Sequence, residues 1–182
     1  MVIIMDMREK KISGEVIFDG HVVRLELDKV LCPNGNESYR EIVKHHGGAA
    51  ILCVTNDDKI ILERQYRYAY DEVIYEIPAG KLEKDENPYD AALRELEEET
   101  GNKANELIHL TNIYPTCGYS SEVIYLYLAL NTTKTKTHFD DDEVIETYEV
   151  PIDEVKEMIL DGRIKDAKTI VAFTYYLMKY KK

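Results

Sequence analysis

Gly80-Lys-Leu-Glu-Lys-Asp-Glu86-Asn-Pro-Tyr-Asp-Ala-Ala-Leu-Arg94-Glu95-Leu96-Glu-Glu98-Glu99-Thr-Gly101-Asn102 reads as a loop, a helix and a helix stop. Asn87 is a good N-cap, and Pro88 sits at the first helical position, where its missing N–H costs nothing. Asp90 suits the positive end of the helix dipole, and Gly101 can take the left-handed conformation that ends a helix. At about 100° per residue, Ala92, Leu93, Leu96 and Thr100 share one face. Glu95, Glu98 and Glu99 gather on another, and Glu97 points away. Like charges this close destabilise a helix by a few tenths of a kcal/mol per pair. A divalent cation removes that penalty, because magnesium favours carboxylate oxygens and keeps waters for substrate phosphates. Taken alone, the helix fits either a metal site or a solvated acidic face.

The surrounding letters extend the pattern. Gly80, Glu86, Arg94, Glu95, Leu96, Glu98, Glu99 and Gly101 fall on the spacing Gly-x5-Glu-x7-Arg-Glu-U-x-Glu-Glu-x-Gly-U, where U is aliphatic. On these residues the chain resembles the Nudix hydrolases. Asn102 is the one departure, standing where an aliphatic residue is usual. That slot closes the motif by packing, so the expected effect is on stability and not on chemistry.

The chain has 182 residues and a formal charge of −12, which fits one domain with a real core. The charge argues against nonspecific binding to nucleic acid or an anionic membrane, which needs basic patches. It would also repel a polyphosphate, unless cations and local arginines reverse the field at the site. No apolar run reaches the roughly 20 residues that span a bilayer, and the first residues lack the basic flank of a signal peptide. Cys32, Cys53 and Cys117 are scattered, without metal-ligand spacing. The expectation is incidental thiols in a reducing cytoplasm. The five histidines, including His45-His46, show no metal spacing and read as structure.

Along the chain, Asp19-Gly20 reads as a two-residue hairpin turn joining Glu15–Phe18 to His21–Val30. Val23, Leu25 and Leu27 alternate with Arg24, Glu26 and Asp28, which predicts one buried and one wet face. Tyr39–His45 reads as a third strand. A sheet this small is marginal without a cover for its apolar face. Residues 1–46 are therefore expected to form an N-terminal antiparallel segment that packs on a second subunit, with the catalytic domain in 47–182.

Gly47-Gly48 marks a break before Ala49–Thr55, a nearly continuous apolar and central strand. Further strands are read at 59–66, 72–77, 106–114, 122–130 and 146–150, with a polar, acidic loop at 131–142. Two helices close the chain. Asp153–Asp161 carries Val155, Met158 and Ile159, and Ala167–Tyr180 carries Ile170, Phe173, Leu177 and Met178 on one stripe. The order of elements predicts an α/β fold, a mixed sheet with helices outside.

Other segments are similar to the ADP-ribose pyrophosphatase branch of the family: Pro78-Ala79-Gly80, Glu63-Arg-Gln-Tyr-Arg67, Tyr114-Pro115-Thr-Cys-Gly118-Tyr-Ser-Ser-Glu122 and Asp140-Asp-Asp-Glu143. The resemblance implies an α/β/α sandwich, and a homodimer that exchanges its N-terminal strands. It implies that Glu95, Glu99 and the Ala79 carbonyl hold metal, with Glu98 as a shared ligand and Glu143 completing the set. Two or three Mg²⁺ ions, or Mn²⁺ in their place, would bridge a diphosphate, and the products would be AMP and ribose 5-phosphate. Arg94 would brace the helix by pairing with Glu86 or Glu98. The base would be Asp141, one methylene shorter than the branch's glutamate, with Glu98 and Glu143 as alternatives.

On the substrate side, the resemblance points to Arg67 for phosphate and to Arg40 for the partner subunit's substrate. Tyr66 and Glu76 would serve the ribose and adenine, and Pro115 would lie on the cleft. Two other readings stand beside this one. One is a pyrophosphatase for another nucleoside-diphosphate sugar, such as a GDP-sugar. The other is a nucleotide-sensing module that no longer cleaves, against which the intact Arg94–Glu99 set argues.

Overall fold

A computed structural model of the chain describes residues 6–138 and 144–181. They form two compact units: residues up to His46 together with Thr116–Glu122, and Gly47–Pro115 together with the rest of the chain from Val123.

In the first unit, β1 (Lys10–Asp19), β2 (Arg24–Leu31) and β3 (Glu37–Lys44) make an antiparallel sheet in that order. The hairpin between β1 and β2 is longer than the sequence suggested. Asp19 pairs with Arg24, and the Gly20 N–H donates to the Val23 carbonyl at 3.0 Å, so the turn spans residues 20–23. A two-residue Asp-Gly turn needs positive φ at its centre, and neither Asp19 nor Gly20 has it. The wet face also differs. Asp28 is buried, 2.6 Å from the Lys11 ammonium and packed against Gly14, where a Cβ would fall 2.0 Å from its carboxylate. The bulges that shift register between Lys11 and Ser13 and between Val16 and Phe18 break the simple alternation. Ile12, Val16, Ile17 and Phe18 of β1 remain exposed in the single chain. Residues 116–122 join this unit through backbone bonds between Val43 and Tyr119 and between Ser121 and Val43.

In the second unit, β4 (Gly48–Val54), β5 (Lys59–Arg67), β6 (Glu72–Glu76) and β7 (Ala79–Lys81) lead to α1 (Pro88–Thr100). After it come β8 (Asn102–Lys103), β9 (Leu107–Ile113), β10 (Ile124–Leu130), β11 (Thr133–Lys134) and β12 (Ile145–Pro151). Helices α2 (Ile152–Leu160) and α3 (Ala167–Tyr180) complete the unit. The main sheet runs β12-β5-β4-β10-β9, with β6 added on β5 and β7 on β4. It is mixed: β10 runs parallel to β4, and β9 runs antiparallel to β10.

Every residue of β4 is buried, because both faces of the strand are covered. Ala50, Leu52 and Val54 face one core with Leu126 and Leu128, closed by Val155 and Met158 of α2 and Ala172, Phe173 and Tyr176 of α3. Ala49, Ile51 and Cys53 face the other with Tyr127 and Ala129, closed by Ala91, Ala92 and Leu96 of α1. This is an α/β/α sandwich. Full burial of a side chain such as Leu96 contributes about 1.5–3 kcal/mol. Burial pushes the Cys53 thiol up to about 11, against a smaller opposing effect of the Thr132 hydroxyl, which keeps it protonated.

The last helix keeps its predicted limits, and of its predicted stripe Phe173 is buried with Ile170 and Leu177 packed against the same core. Thr169, Ala172, Phe173 and Tyr176 are buried together with Lys168, whereas Met178 is 71% exposed. The polar start of the helix is held by hydrogen bonds, so its buried face takes in Lys168 and Thr169 beside the apolar residues. The short strands β7, β8 and β11 have no alternation long enough to be seen in sequence; β8 and β11 pair with each other.

α1 begins and ends as its letters dictate. The Asn87 side chain accepts from the Tyr89 N–H, and Gly101, at φ 59°, donates to the Glu97 carbonyl at 2.9 Å. A Cβ on Gly101 would lie 3.2 Å from the Thr135 carbonyl oxygen. Gly101→Ala is therefore expected to lower unfolding free energy by about 1–2 kcal/mol for the left-handed backbone, with an added cost for that contact, measured by denaturant unfolding.

Candidate active site

Two acids of α1, Glu95 and Glu98, converge with Glu86 on a single guanidinium. Arg94 Nε and Nη2 donate to the two oxygens of Glu86 at 3.1 and 3.2 Å. Its Nη1 donates to Glu95 at 2.8 Å and to Glu98 at 3.0 Å. The expected pairing with Glu86 or Glu98 is thus made with both, and Glu95 shares it. Burial works against the arginine's charge, but the three carboxylates overcome it and raise its pKa above the ordinary value. In return Arg94 holds the Glu86 carboxyl below its usual value, and the Glu83 N–H adds to this at 2.9 Å.

Two further contacts fix where the carboxylates point. Glu99 is 5% exposed, and its Oε2 accepts from the Ala79 N–H at 3.0 Å. Glu95 lies over Gly80 so closely that a Cβ there would fall 1.7 Å from its Oε1. The glycine therefore leaves room for the Glu95 carboxylate, which a side chain at position 80 would displace. β7 itself is held by pairing of Ala50 with Ala79 and of Ala49 with Gly80.

The donors suit a divalent cation: Glu95 and Glu99 supply hard carboxylate oxygens beside the Gly80 backbone. Among the described residues no three His, Cys, Asp or Glu side chains converge as a ligand group, because Arg94 draws Glu95 and Glu98 to itself. Asp140, Asp141 and Glu143, expected to supply the base and a further ligand, lie outside the described residues. The chain just before them is anchored to α1, where the His138 N–H donates to the Glu98 carbonyl at 2.8 Å.

Arg67 and Glu76, both singled out for the substrate side, form a bidentate pair at 2.7 and 2.8 Å. Glu76 is 2% exposed and also pairs with Lys168. Burial pushes the Glu76 carboxyl up, and the two cations reverse that to a net lowering. Tyr66 is half exposed and donates its hydroxyl to Asp71 at 2.7 Å. In the first unit, Arg40 is held by Glu9 and by the Tyr39 carbonyl at 2.8 Å. Pro115 ends the segment that leads out of β9.

The sequence reading gave the limits of α3 but not the polar network at its first turn. The Asp166 carboxylate caps it by accepting from the Thr169 N–H and hydroxyl, at 2.9 and 2.6 Å. Thr169 Oγ1 in turn accepts from the Ile77 N–H at 2.9 Å. The signal was present as Asp166-Ala-Lys168-Thr169, polar residues placed inward on an otherwise apolar helix.

The sandwich, with an arginine-clamped acidic helix over a glycine strand, defines the class of protein. The NUDIX domain model matches residues 44–173, and the chain belongs to the Nudix hydrolase family. Hydrolases of this family generally need a divalent metal. The chain is 44% identical over 169 residues to the methanol dehydrogenase activator of Bacillus methanolicus, a match spanning 92% of this chain and 91% of that protein. It is 43% identical over 175 residues to an ADP-ribose pyrophosphatase of Bacillus subtilis, spanning 95% of both chains. A crystal structure of an ADP compounds hydrolase superposes with a TM-score of 0.83 over 96% of this chain and 97% of its own. At 21% identity, that likeness speaks to the fold.

Gly80→Ala tests the cradle. The backbone there tolerates alanine and the clashing atoms end a flexible side chain, so stability should change by less than about 1 kcal/mol. Displacing Glu95 should weaken divalent-metal affinity, read by calorimetry, by about 10–100-fold.

Proposed function

We propose that this chain is a magnesium-dependent hydrolase that splits the diphosphate bridge of ADP-ribose into AMP and ribose 5-phosphate. Water adds to one phosphorus, the bridging P–O bond breaks, and each product leaves with a phosphate. The observation that carries the reading is the motif helix held in working order, Glu99 on the Ala79 N–H and Glu95 over Gly80. The relative named ADP-ribose pyrophosphatase, at 43% identity over 95% of both chains, supports the choice of substrate.

Glu95, Glu99 and the Ala79 carbonyl would hold the metal, with Glu98 shared and Glu143 added from the acidic loop. Two or three magnesium ions bound there would neutralise the diphosphate and make a water more acidic. Arg94 keeps the carboxylates at fixed spacing from behind. The proton of the attacking water goes to Asp141, or to Glu98 or Glu143 if that loop aligns differently. A base must come within about 3 Å of the water.

Incubation with ADP-ribose, GDP-sugars and magnesium, with products identified, should show AMP and ribose 5-phosphate as the main products. Release from a GDP-sugar alone would reassign the base pocket. Glu99→Gln keeps the shape and loses the charge; turnover is expected to fall by at least about 10²-fold with the fold intact by circular dichroism. Unchanged turnover would remove Glu99 from the metal site.

We also propose a homodimer built through the N-terminal sheet, in a cytoplasm that keeps Cys32, Cys53 and Cys117 reduced. The apolar side chains that β1 leaves exposed support it. Light scattering should give twice the 21.1 kDa chain mass. A monomer would refute the dimer while leaving the chemistry untouched.

A further inference from the structure

Glu76 is a buried carboxylate with cations on both sides. One is Arg67, which spends Nε and Nη2 on it. The other is Lys168, an ammonium itself 10% exposed. Two hydrogen-bonded cations outweigh the one carboxylate between them. Asp166, 3.1 Å from Lys168, brings the formal charge of the four groups to zero while it caps α3.

The arrangement is uneven toward solvent. Arg67 is 40% exposed, and its Nη1 makes no hydrogen bond among the described residues. Its partner Glu76 ends β6, and the same chain passage leads directly to Ala79, whose N–H holds Glu99. A guanidinium pinned along one edge presents the other in a fixed direction, as anion recognition requires. In a chain of net charge −12, such a donor attracts an anion only if its own carboxylate does not cancel it.

We propose that Lys168 is a positioning residue that acts through Glu76: by sharing that carboxylate's charge, it keeps Arg67 available to a diphosphate oxygen. Lys168 does not touch substrate. The idea rests on the hydrolase reading for the identity of the anion, and it assigns to the first turn of α3 a part in substrate affinity.

The test is calorimetric binding of inorganic diphosphate, with magnesium present, to the full chain and its variants, beside steady-state kinetics on ADP-ribose. Lys168→Met should weaken diphosphate binding about tenfold and raise KM in proportion, with kcat within about twofold. Lys168→Arg should restore both. Diphosphate binding should also return in the double variant Lys168→Met/Glu76→Gln, because the amide oxygen it introduces still accepts one hydrogen bond from Arg67 and no longer cancels its charge. Should Lys168→Met not fold, Lys168→Gln decides, because it offers Glu76 a neutral donor: binding should weaken about tenfold, and wild-type affinity overturns the proposal. Wild-type affinity in Lys168→Met, or a double variant as weak as the single, would also overturn it, as would a wild type that does not bind diphosphate. A wild type that binds diphosphate without splitting ADP-ribose ends the substrate reading alone.

Discussion

Mutual repulsion among carboxylates on one turn of helix is the constraint around which the second unit is arranged. Glu95, Glu98 and Glu99 would drive one another apart on an unsupported helix. Arg94 prevents this for Glu95 and Glu98 and ties them to Glu86 in the preceding loop, so loop and helix move as one piece. Glu99 is held separately, from below, by a backbone N–H. The two restraints divide the labour: one cation fixes the two partly buried acids, and one strand fixes the buried one.

That division needs a strand in a particular place, and the packing of β4 supplies it. Alternate residues of β4 enter two different cores, so the strand cannot shift along its axis without disturbing both. β7 is paired to β4 from Gly48 to Ala50 and inherits that fixity. The Ala79 N–H therefore reaches Glu99 at a position set by the whole sandwich. On the same sheet, Thr169 fixes Ile77 from the α3 side, so the strand-to-loop passage from Glu76 to Gly80 is held at both ends.

Much of this was legible in the letters, and for identifiable reasons. Asn87, Pro88 and Gly101 are local signals whose meaning does not depend on the rest of the fold, and α1 has the limits they imply. The spacing of Gly80 and Glu95 carried the cradle, although the reason for the glycine became visible only in the 1.7 Å approach. Readings failed where distant residues decided. Asp28 looked wet by alternation and is buried because Lys11 and Gly14 of the neighbouring strand receive it. The stripe on α3 looked apolar and is in part a polar latch, because Glu76, far off in sequence, offers Lys168 a buried partner. Arg67 and Glu76 were recognised singly, and their pairing with each other was not.

Asn102 carries a consequence of its own. The residue is buried and fills an aliphatic slot with a polar lock: its amide donates to the Thr100 carbonyl and hydroxyl, both at 3.0 Å, and its oxygen accepts from Thr132 at 3.3 Å. Grease tolerates rotation, whereas such a lock has a direction. An aliphatic side chain placed here alone would leave the Thr132 hydroxyl short of an acceptor and the Thr100 carbonyl short of a donor. Positions 100, 102 and 132 therefore form one energetic unit whose substitutions do not add, and descent toward the usual aliphatic form has to pass through changes made in concert.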